Sequence, residues 1–112
     1  MTEAHTVTPT KKLSQCRNGW LLMWSDYNTD EGKTYDYDWH CSMIPKIRPS
    51  GETWAGHSWI FDIPAGMQTT SPYTTETRKF KWLYVYDNKL VGTPANNQNG
   101  RNDIVLRAVY EF

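Results

Sequence analysis

The chain has 112 residues, of which 12 are basic and 12 acidic, and its formal net charge is zero. A length of this order suits one domain with one hydrophobic core. Nucleic-acid binders carry a basic surplus that pairs with phosphates, so nucleic acid is not an expected partner. No apolar run approaches the roughly 20 residues that span a bilayer, so membrane insertion is not expected either.

The composition is rich in aromatic side chains, since 6 Trp, 7 Tyr and 3 Phe make up 14% of the chain. Tyr and Trp combine a large apolar body with a polar tip, and they therefore serve both cores and wet interfaces. The sequence predicts a core built more from aromatic than from aliphatic side chains.

The first half of the chain shows strand patterns separated by a polar hairpin. A short strand is predicted at His5–Val7, and the apolar segment Gly19–Ser25 predicts a central strand covered on both faces. The polar stretch Asp26–Lys33 is typical of a hairpin or loop. Positions 35, 37, 39, 41 and 43 are Tyr, Tyr, Trp, Cys and Met, with polar residues between them. This alternation predicts a half-buried strand with an aromatic inner face.

Three further segments alternate in the same way, and a weak strand is predicted near Leu90. The connectors at 48–56, 64–77 and 93–102 have the composition of loops. About six to seven strands at this spacing predict an all-β fold for residues 1–112, a single antiparallel β-sandwich of jelly-roll type. The residues of the alternating segments predicted to share a core face are Trp59, Phe61 and Ile63, then Phe80, Trp82, Tyr84 and Tyr86, and finally Ile104, Leu106, Ala108, Tyr110 and Phe112.

Candidate catalytic groups are few. Asp36 and Asp38 lie two positions apart on one predicted strand, at a separation of roughly 6–7 Å that suits paired carboxylates in glycoside hydrolysis. A solvent-facing strand edge explains the same alternation and is the preferred interpretation. Serine and histidine residues lack the motifs of a nucleophile, and no glycine-rich phosphate loop is present. We therefore expect no catalytic residues and no enzyme activity.

Metal and cofactor sites are not expected. Asp26, Asn28 and Asp30 resemble the oxygen ligands of a calcium loop, but the glycine falls one position late and the bidentate glutamate is missing. A hairpin loop whose side chains bond their own backbone is the alternative. Cys16 and Cys41 lack zinc-ligand spacing and are expected to be free thiols.

Two aromatic residues do not fit any strand alternation. Trp54 lies in a glycine-flanked loop and Tyr73 in a loop rich in Thr and Ser. An aromatic ring on a loop can stack on the apolar C–H face of a pyranose, and Arg48 and His57 are nearby donors for hydroxyl groups or an anionic substituent. The alternative is that these rings fill one end of the core or a subunit contact. We predict Trp54, Tyr73, Arg48 and His57 as ligand-binding residues.

Four stretches of the chain stand out together, namely LSQCRNGWLLMWSDY at 13–27, Ile44-Pro45-Lys46, WLYVYD at 82–87 leading to Val91-Gly92, and NDIVLRAVYEF at 102–112. In this order they resemble segments of the C-terminal head domains of receptor-binding, tail fibre and baseplate proteins from phages of Gram-positive bacteria. The resemblance covers most of the chain from Thr6 onward and rests on short motifs of moderate specificity, none of them catalytic.

The resemblance implies a β-sandwich head, the C-terminal part of a longer tail protein, that forms homotrimers on the virion. Such heads recognise saccharides or teichoic acids of the host wall, and their assembly in a reducing cytoplasm agrees with free cysteines. The matched motifs are scaffold, so the resemblance assigns no binding residues. Two alternatives stay open, namely a purely structural tail or baseplate module without a ligand, and a carbohydrate-binding module of a wall hydrolase.

Overall fold

The structure, a computed structural model, describes residues 5–28, 30–46, 55–63, 79–97 and 103–112. Within them the chain forms eight strands and two short 3-10 turns, at Leu13–Gln15 and Pro94–Asn97. The strands are β1 (Thr6–Val7), β2 (Gly19–Asn28), β3 (Lys33–Thr34), β4 (His40–Pro45), β5 (Ala55–Ile63), β6 (Lys79–Tyr86), β7 (Leu90–Gly92) and β8 (Ile104–Glu111).

The strands form two antiparallel sheets that pack face to face. The first sheet has the order β1-β7-β6-β5. In the second sheet β2 lies between β4 and β8, and β3 pairs with the last two residues of β2. The predicted all-β antiparallel sandwich is confirmed. The strand count exceeds the expectation because of β3. This strand follows the hairpin after β2, and it is too short to be recognised from its sequence.

Both sheets contribute to one core, and β2 supplies its largest side chains. Trp20 and Trp24 are buried, and the Trp24 ring lies 6.3 Å from that of Phe61 on the opposite sheet, measured between centroids. Each large apolar side chain buried in this way contributes about 1.5–3 kcal/mol. The indole nitrogens are also satisfied, because Nε1 of Trp24 donates to the Ser42 hydroxyl at 3.1 Å and Nε1 of Trp20 to the Lys11 carbonyl at 2.9 Å.

A 3-10 turn joins the two sheets at one end. Leu13 of this turn is buried, and its amide donates to the carbonyl of Asp87 at 2.8 Å. The amide and hydroxyl of Ser14 donate to the two carboxylate oxygens of Asp87 at 2.8 and 2.9 Å. Asp87 belongs to the tight turn between β6 and β7, and an Asp-Asn pair at 87–88 suits such a turn. These bonds fix the start of β2 relative to the first sheet.

The alternation of β6 is opposite to the one predicted. Phe80, Trp82 and Tyr84 are exposed, whereas Leu83 and Val85 are buried. The inner positions of β6 lie opposite bulky residues of β5, since Leu83 pairs with Trp59 and Val85 with His57. Smaller aliphatic side chains fill the space beside those rings, so the aromatic side chains turn outward. Lys81 is buried on the same inner face as Leu83 and Val85, and its charge is the reason that the sequence predicts the opposite face as the core face.

The prediction for residues 35–43 is wrong in both extent and phase. The strand begins only at His40, and within it Ser42 and Ile44 are buried while Met43 is exposed. Ser42 points inward because it accepts the hydrogen bond from Trp24. Central strand β2 is confirmed, but its outer-face residues Leu21 and Met23 are only half-buried.

The predicted loop at 93–102 contains a buried polar anchor. Asn96 has 0% exposure, and its side chain bonds the backbone of Trp82 as a neighbouring strand would. Its Oδ1 accepts the Trp82 amide at 2.6 Å, and its Nδ2 donates to the Trp82 carbonyl at 2.9 Å. The side chain therefore continues the ladder beyond the short strand β7.

Replacing Asn96 by Ala is expected to destabilise the protein by about 2 kcal/mol or more, because both backbone groups of Trp82 lose their partner in a buried setting. Urea unfolding measures the difference, and Asn97→Ala, at an exposed neighbouring position, is the matched control. Equal midpoints for the two variants would show that the Asn96 bonds do not stabilise β6.

Candidate ligand-binding groove

The residues predicted to bind a ligand fall mostly outside the described part of the chain. Trp54, Tyr73 and Arg48 all lie there. His57 lies in β5, on the same strand face as Trp59, and it is half-buried with its Nε2 atom enclosed. Of the four predicted residues only His57 belongs to the described part of the chain, and the prediction for them stays a prediction.

A different site is present on the outer face of the second sheet. An open groove of about 430 Å³ is lined by Met23, Trp39, Arg107, Ala108 and Tyr110. Met23 and Ala108 are direct partners in the β2–β8 ladder and form the apolar floor. Trp39 and Arg107 form one end of the groove, and Tyr110 forms the other. The two aromatic side chains are 48% and 57% exposed, so their rings are available to a ligand.

A β-bulge in β8 brings Arg107 to this face. Met23 pairs with Ala108 and Trp24 with Leu106, which leaves Arg107 without a partner in the ladder. Such a bulge re-aims side chains and reverses the alternation beyond it. Strict alternation, with Leu106 packed against the core, would also place Ala108 and Tyr110 inside. The bulge instead turns both outward, so the predicted common core face of β8 holds only as far as Leu106.

The guanidinium of Arg107 is held in a fixed position. Its Nη1 donates to the Ser25 hydroxyl at 3.0 Å and to the Tyr35 carbonyl at 3.2 Å. The same nitrogen lies 2.8 Å from Oδ1 of Asp36, and the guanidinium carbon lies 5.0 Å from the centroid of the Trp39 ring. Cation–π contact and three polar contacts together restrict the side chain before any ligand arrives.

The hydrogen bonds of Arg107 to Ser25 and Tyr35 both use Nη1, which leaves Nε and Nη2 as further donors. The side chain is 26% exposed and lines the groove. A planar fork of donors beside exposed aromatic rings can bind hydroxyl, carboxylate or phosphate oxygens.

The segment 35–39 carries one end of the groove and is anchored to β2 rather than being a strand. The Tyr35 amide donates to the Asp26 carbonyl at 3.0 Å, and the Asp26 amide donates to the Tyr37 carbonyl at 3.5 Å. Asp38 has a φ of 56°, a left-handed conformation that Asp tolerates better than most residues. This turn ends the predicted alternation and places Tyr37 and Trp39 at the surface.

Behind this segment lies a buried acid. Asp26 is 1% exposed, and neither of its carboxyl oxygens accepts a hydrogen bond within the described residues. Burial, the nearby carboxyl of Asp38 and the negative charges of Asp38 and Asp103 raise the pKa of Asp26 to about 8. In its neutral form Asp26 can donate its proton to Asp38.

The two carboxylates considered for catalysis have different partners. Asp36 pairs with Arg107, whereas Asp38 lies beside Asp26. They do not share a strand face, because residues 35–39 do not form a strand. The geometry that suggested paired catalytic carboxylates is therefore absent at these positions.

The loop considered for calcium is a hairpin whose Asn28 bonds its own backbone. Oδ1 of Asn28 accepts the amides of Asp30 and Glu31 at 3.0 and 3.2 Å, and the amide of Gly32, with φ 66°, donates to the Asn28 carbonyl at 2.8 Å. The hairpin interpretation is confirmed. Asp26 turns into the interior, and no group of three or more acidic, His or Cys side chains within the described ranges is arranged to hold a metal ion.

Both cysteines are free thiols. Cys41 is exposed on β4, while Cys16 is buried and its Sγ donates to the Lys12 carbonyl at 3.3 Å. Burial is the main cause that raises the pKa of the Cys16 thiol. Cys16 therefore acts as a small core residue rather than as a nucleophile.

Sequence reasoning missed Trp39, Arg107 and Tyr110 as site residues. Strict alternation predicts Trp39 in the core, and a regular β8 predicts Tyr110 there. The bulge at Arg107 has no sequence signal, because it carries no glycine. A useful hint was that Gly19–Ser25 is apolar on both faces, since the outer face of such a strand needs a cover or a ligand.

Searches of protein-family models, curated proteins and solved structures find no match to the chain. Among the described residues no helix is long and apolar enough to cross a membrane.

Asp26 should make the protein less stable as pH rises. Its pKa is about 8 when folded, above its ordinary value of 3.8, so between these values the folded state holds a proton that the unfolded chain has released. The stability that this group contributes is complete below about pH 4 and is lost as pH rises to 8. Asp26→Asn removes the effect and should unfold less readily at pH 8, by on the order of a few kcal/mol.

Urea unfolding at pH 5 and pH 8 measures this difference, with Asp30→Asn as the control at an exposed position. If Asp26→Asn and the parent chain lost equal stability between the two pH values, Asp26 would not carry a raised pKa.

Proposed function

We propose that this chain is a receptor-binding head module of a phage tail, which attaches to a saccharide or teichoic acid of the host cell wall through the groove. The observation that carries the proposal is the pair of exposed rings of Trp39 and Tyr110 at the two ends of an apolar floor. A pyranose has apolar C–H faces that pack on such surfaces, and polar edges that need donors such as Arg107.

The dimensions of the groove support a glycosyl unit as the ligand. Side chains on one face of a strand recur every two residues. The Trp39 end of the groove and Tyr110 lie about two such repeats apart, which corresponds to roughly 13–14 Å along the strands. A volume of about 430 Å³ lies within the range of small-molecule sites, roughly 300–1,000 Å³. Strands and a fixed guanidinium provide the rigid framework that reduces the entropic cost of binding.

The phage assignment rests on the resemblance of the scaffold. The resembling segments coincide with β2, the end of β4, the β6–β7 hairpin and β8, which are the strands that frame the groove and the core. On this proposal the head forms a homotrimer on the virion, and its groove faces the bacterial surface. The groove floor comes from the same strands, so scaffold and site are built together.

Replacing Trp39 or Tyr110 by Ala should reduce binding to purified host cell walls about five- to tenfold, because an aromatic contact with a ligand contributes on the order of 1 to 1.4 kcal/mol. Pull-down on cell walls and glycan arrays provide the measurement. Trp82→Ala is the matched control, since Trp82 is also exposed but lies on the outer face of the first sheet.

Equal binding by all three variants would contradict a role for the groove. Loss confined to Trp82→Ala would instead place the ligand on the other sheet.

A purely structural tail module is the second candidate, and one surface favours it. The outer face of the first sheet exposes Ile60, Phe80, Trp82 and Tyr84. Ile60 pairs with Trp82 in the ladder, so these side chains are neighbours. Light scattering of the parent chain and of Trp82→Ala separates the candidates. A trimer that dissociates on this substitution, together with no cell-wall binding, would favour the structural role.

A further inference from the structure

The charge at the Arg107 end of the groove is balanced. The Nη1 atom of Arg107 lies 2.8 Å from Oδ1 of Asp36, so the two opposite charges form one ion pair. The side chain of Asp36 is 78% exposed, and within the described part of the chain it has no other polar contact. The guanidinium donors of Arg107 and the carboxylate acceptor of Asp36 therefore lie side by side at the rim of the groove.

This arrangement complements two neighbouring hydroxyl groups. One hydroxyl oxygen accepts from Nε or Nη2 of Arg107, and the adjacent hydroxyl donates to Asp36. Both hydrogen bonds involve an ionised partner and are therefore stronger than those between neutral groups. Neither bond requires Arg107 to leave Ser25 or Tyr35, because those residues use only Nη1.

An anionic ligand fits the same place less well. A carboxylate or phosphate bound at Arg107 would lie close to the carboxylate of Asp36, which already compensates the guanidinium. A further acidic side chain, Asp38, belongs to the same segment as Asp36. Like charges at such separations repel, and the described residues that line the groove supply no second cation.

We infer that the groove selects a neutral pyranose unit, which is bound by two adjacent hydroxyl groups on the Asp36–Arg107 pair while its apolar face packs between Trp39 and Tyr110. This inference rests on the proposed function and names its ligand class. Phosphate or carboxylate groups of the same polymer then remain outside the groove.

The test compares neutral with anionic probes by NMR titration of the purified full chain. The neutral probes are the methyl pyranosides of glucose, galactose and mannose, together with N-acetylglucosamine. The anionic probes are glucuronate, glycerol phosphate and inorganic phosphate. We expect a neutral probe to shift the signals of Met23, Ala108 and Tyr110, with an affinity that changes less than about twofold between low and high salt, because no net charge is neutralised.

Asp36→Asn is the decisive variant, since it leaves the bonds of Arg107 to Ser25 and Tyr35 in place. It should weaken binding of the neutral probe about tenfold, and Arg107→Gln should weaken it by at least as much, because each removes a charge-assisted hydrogen bond. Asp30→Asn is the control. Backbone NMR spectra show whether each variant keeps the fold, and Arg107→Lys keeps the charge while it removes the planar fork.

The outcomes separate the inference from the proposed function. An anionic probe that binds in the groove, more tightly to Asp36→Asn and less tightly at high salt, would overturn the neutral ligand class and leave saccharide attachment intact. If no probe of either class shifted the groove signals, saccharide attachment through the groove would fail as well.

Discussion

The burial of Trp20 and Trp24 on one face of β2 is the constraint on which the rest of the second sheet depends. Successive side chains of a strand point to opposite faces, so the inward rings force Leu21, Met23 and Ser25 outward. Trp24 is fixed further by its contact with Phe61 and its hydrogen bond to Ser42. The groove floor at Met23 is thus a direct consequence of how the core is filled.

The bulge in β8 adds what alternation alone cannot supply. It places the consecutive residues Arg107 and Ala108 on the outer face, and Val109 takes the next inner position against the core. The small side chain of Ala108 leaves space above the floor of the groove. Arg107 contacts the Ser25 hydroxyl and the segment 35–39. One irregularity therefore creates the charged end of the groove and exposes Tyr110 at the other.

The sequence predicts the sandwich and most strand positions, because turn residues and apolar segments mark where strands begin and end. It does not predict which face of β6 is buried, since both faces carry apolar side chains and the inner one includes Lys81. The site was missed for a related reason. Trp39 and Tyr110 fit a core pattern locally, and their exposure follows from a left-handed Asp38 and from the bulge, both of which depend on tertiary contacts.

The buried acid behind the groove connects stability with the site. A carboxyl that is enclosed without a donor opposes folding when it ionises, so a core of this size would be more stable with an apolar residue at Asp26. The backbone of Asp26, however, bonds Tyr35 and Tyr37 and so holds the segment 35–39 against β2. The raised pKa favours the neutral carboxyl of Asp26 beside Asp38, which limits the cost of burying an acid next to the segment that carries Asp36.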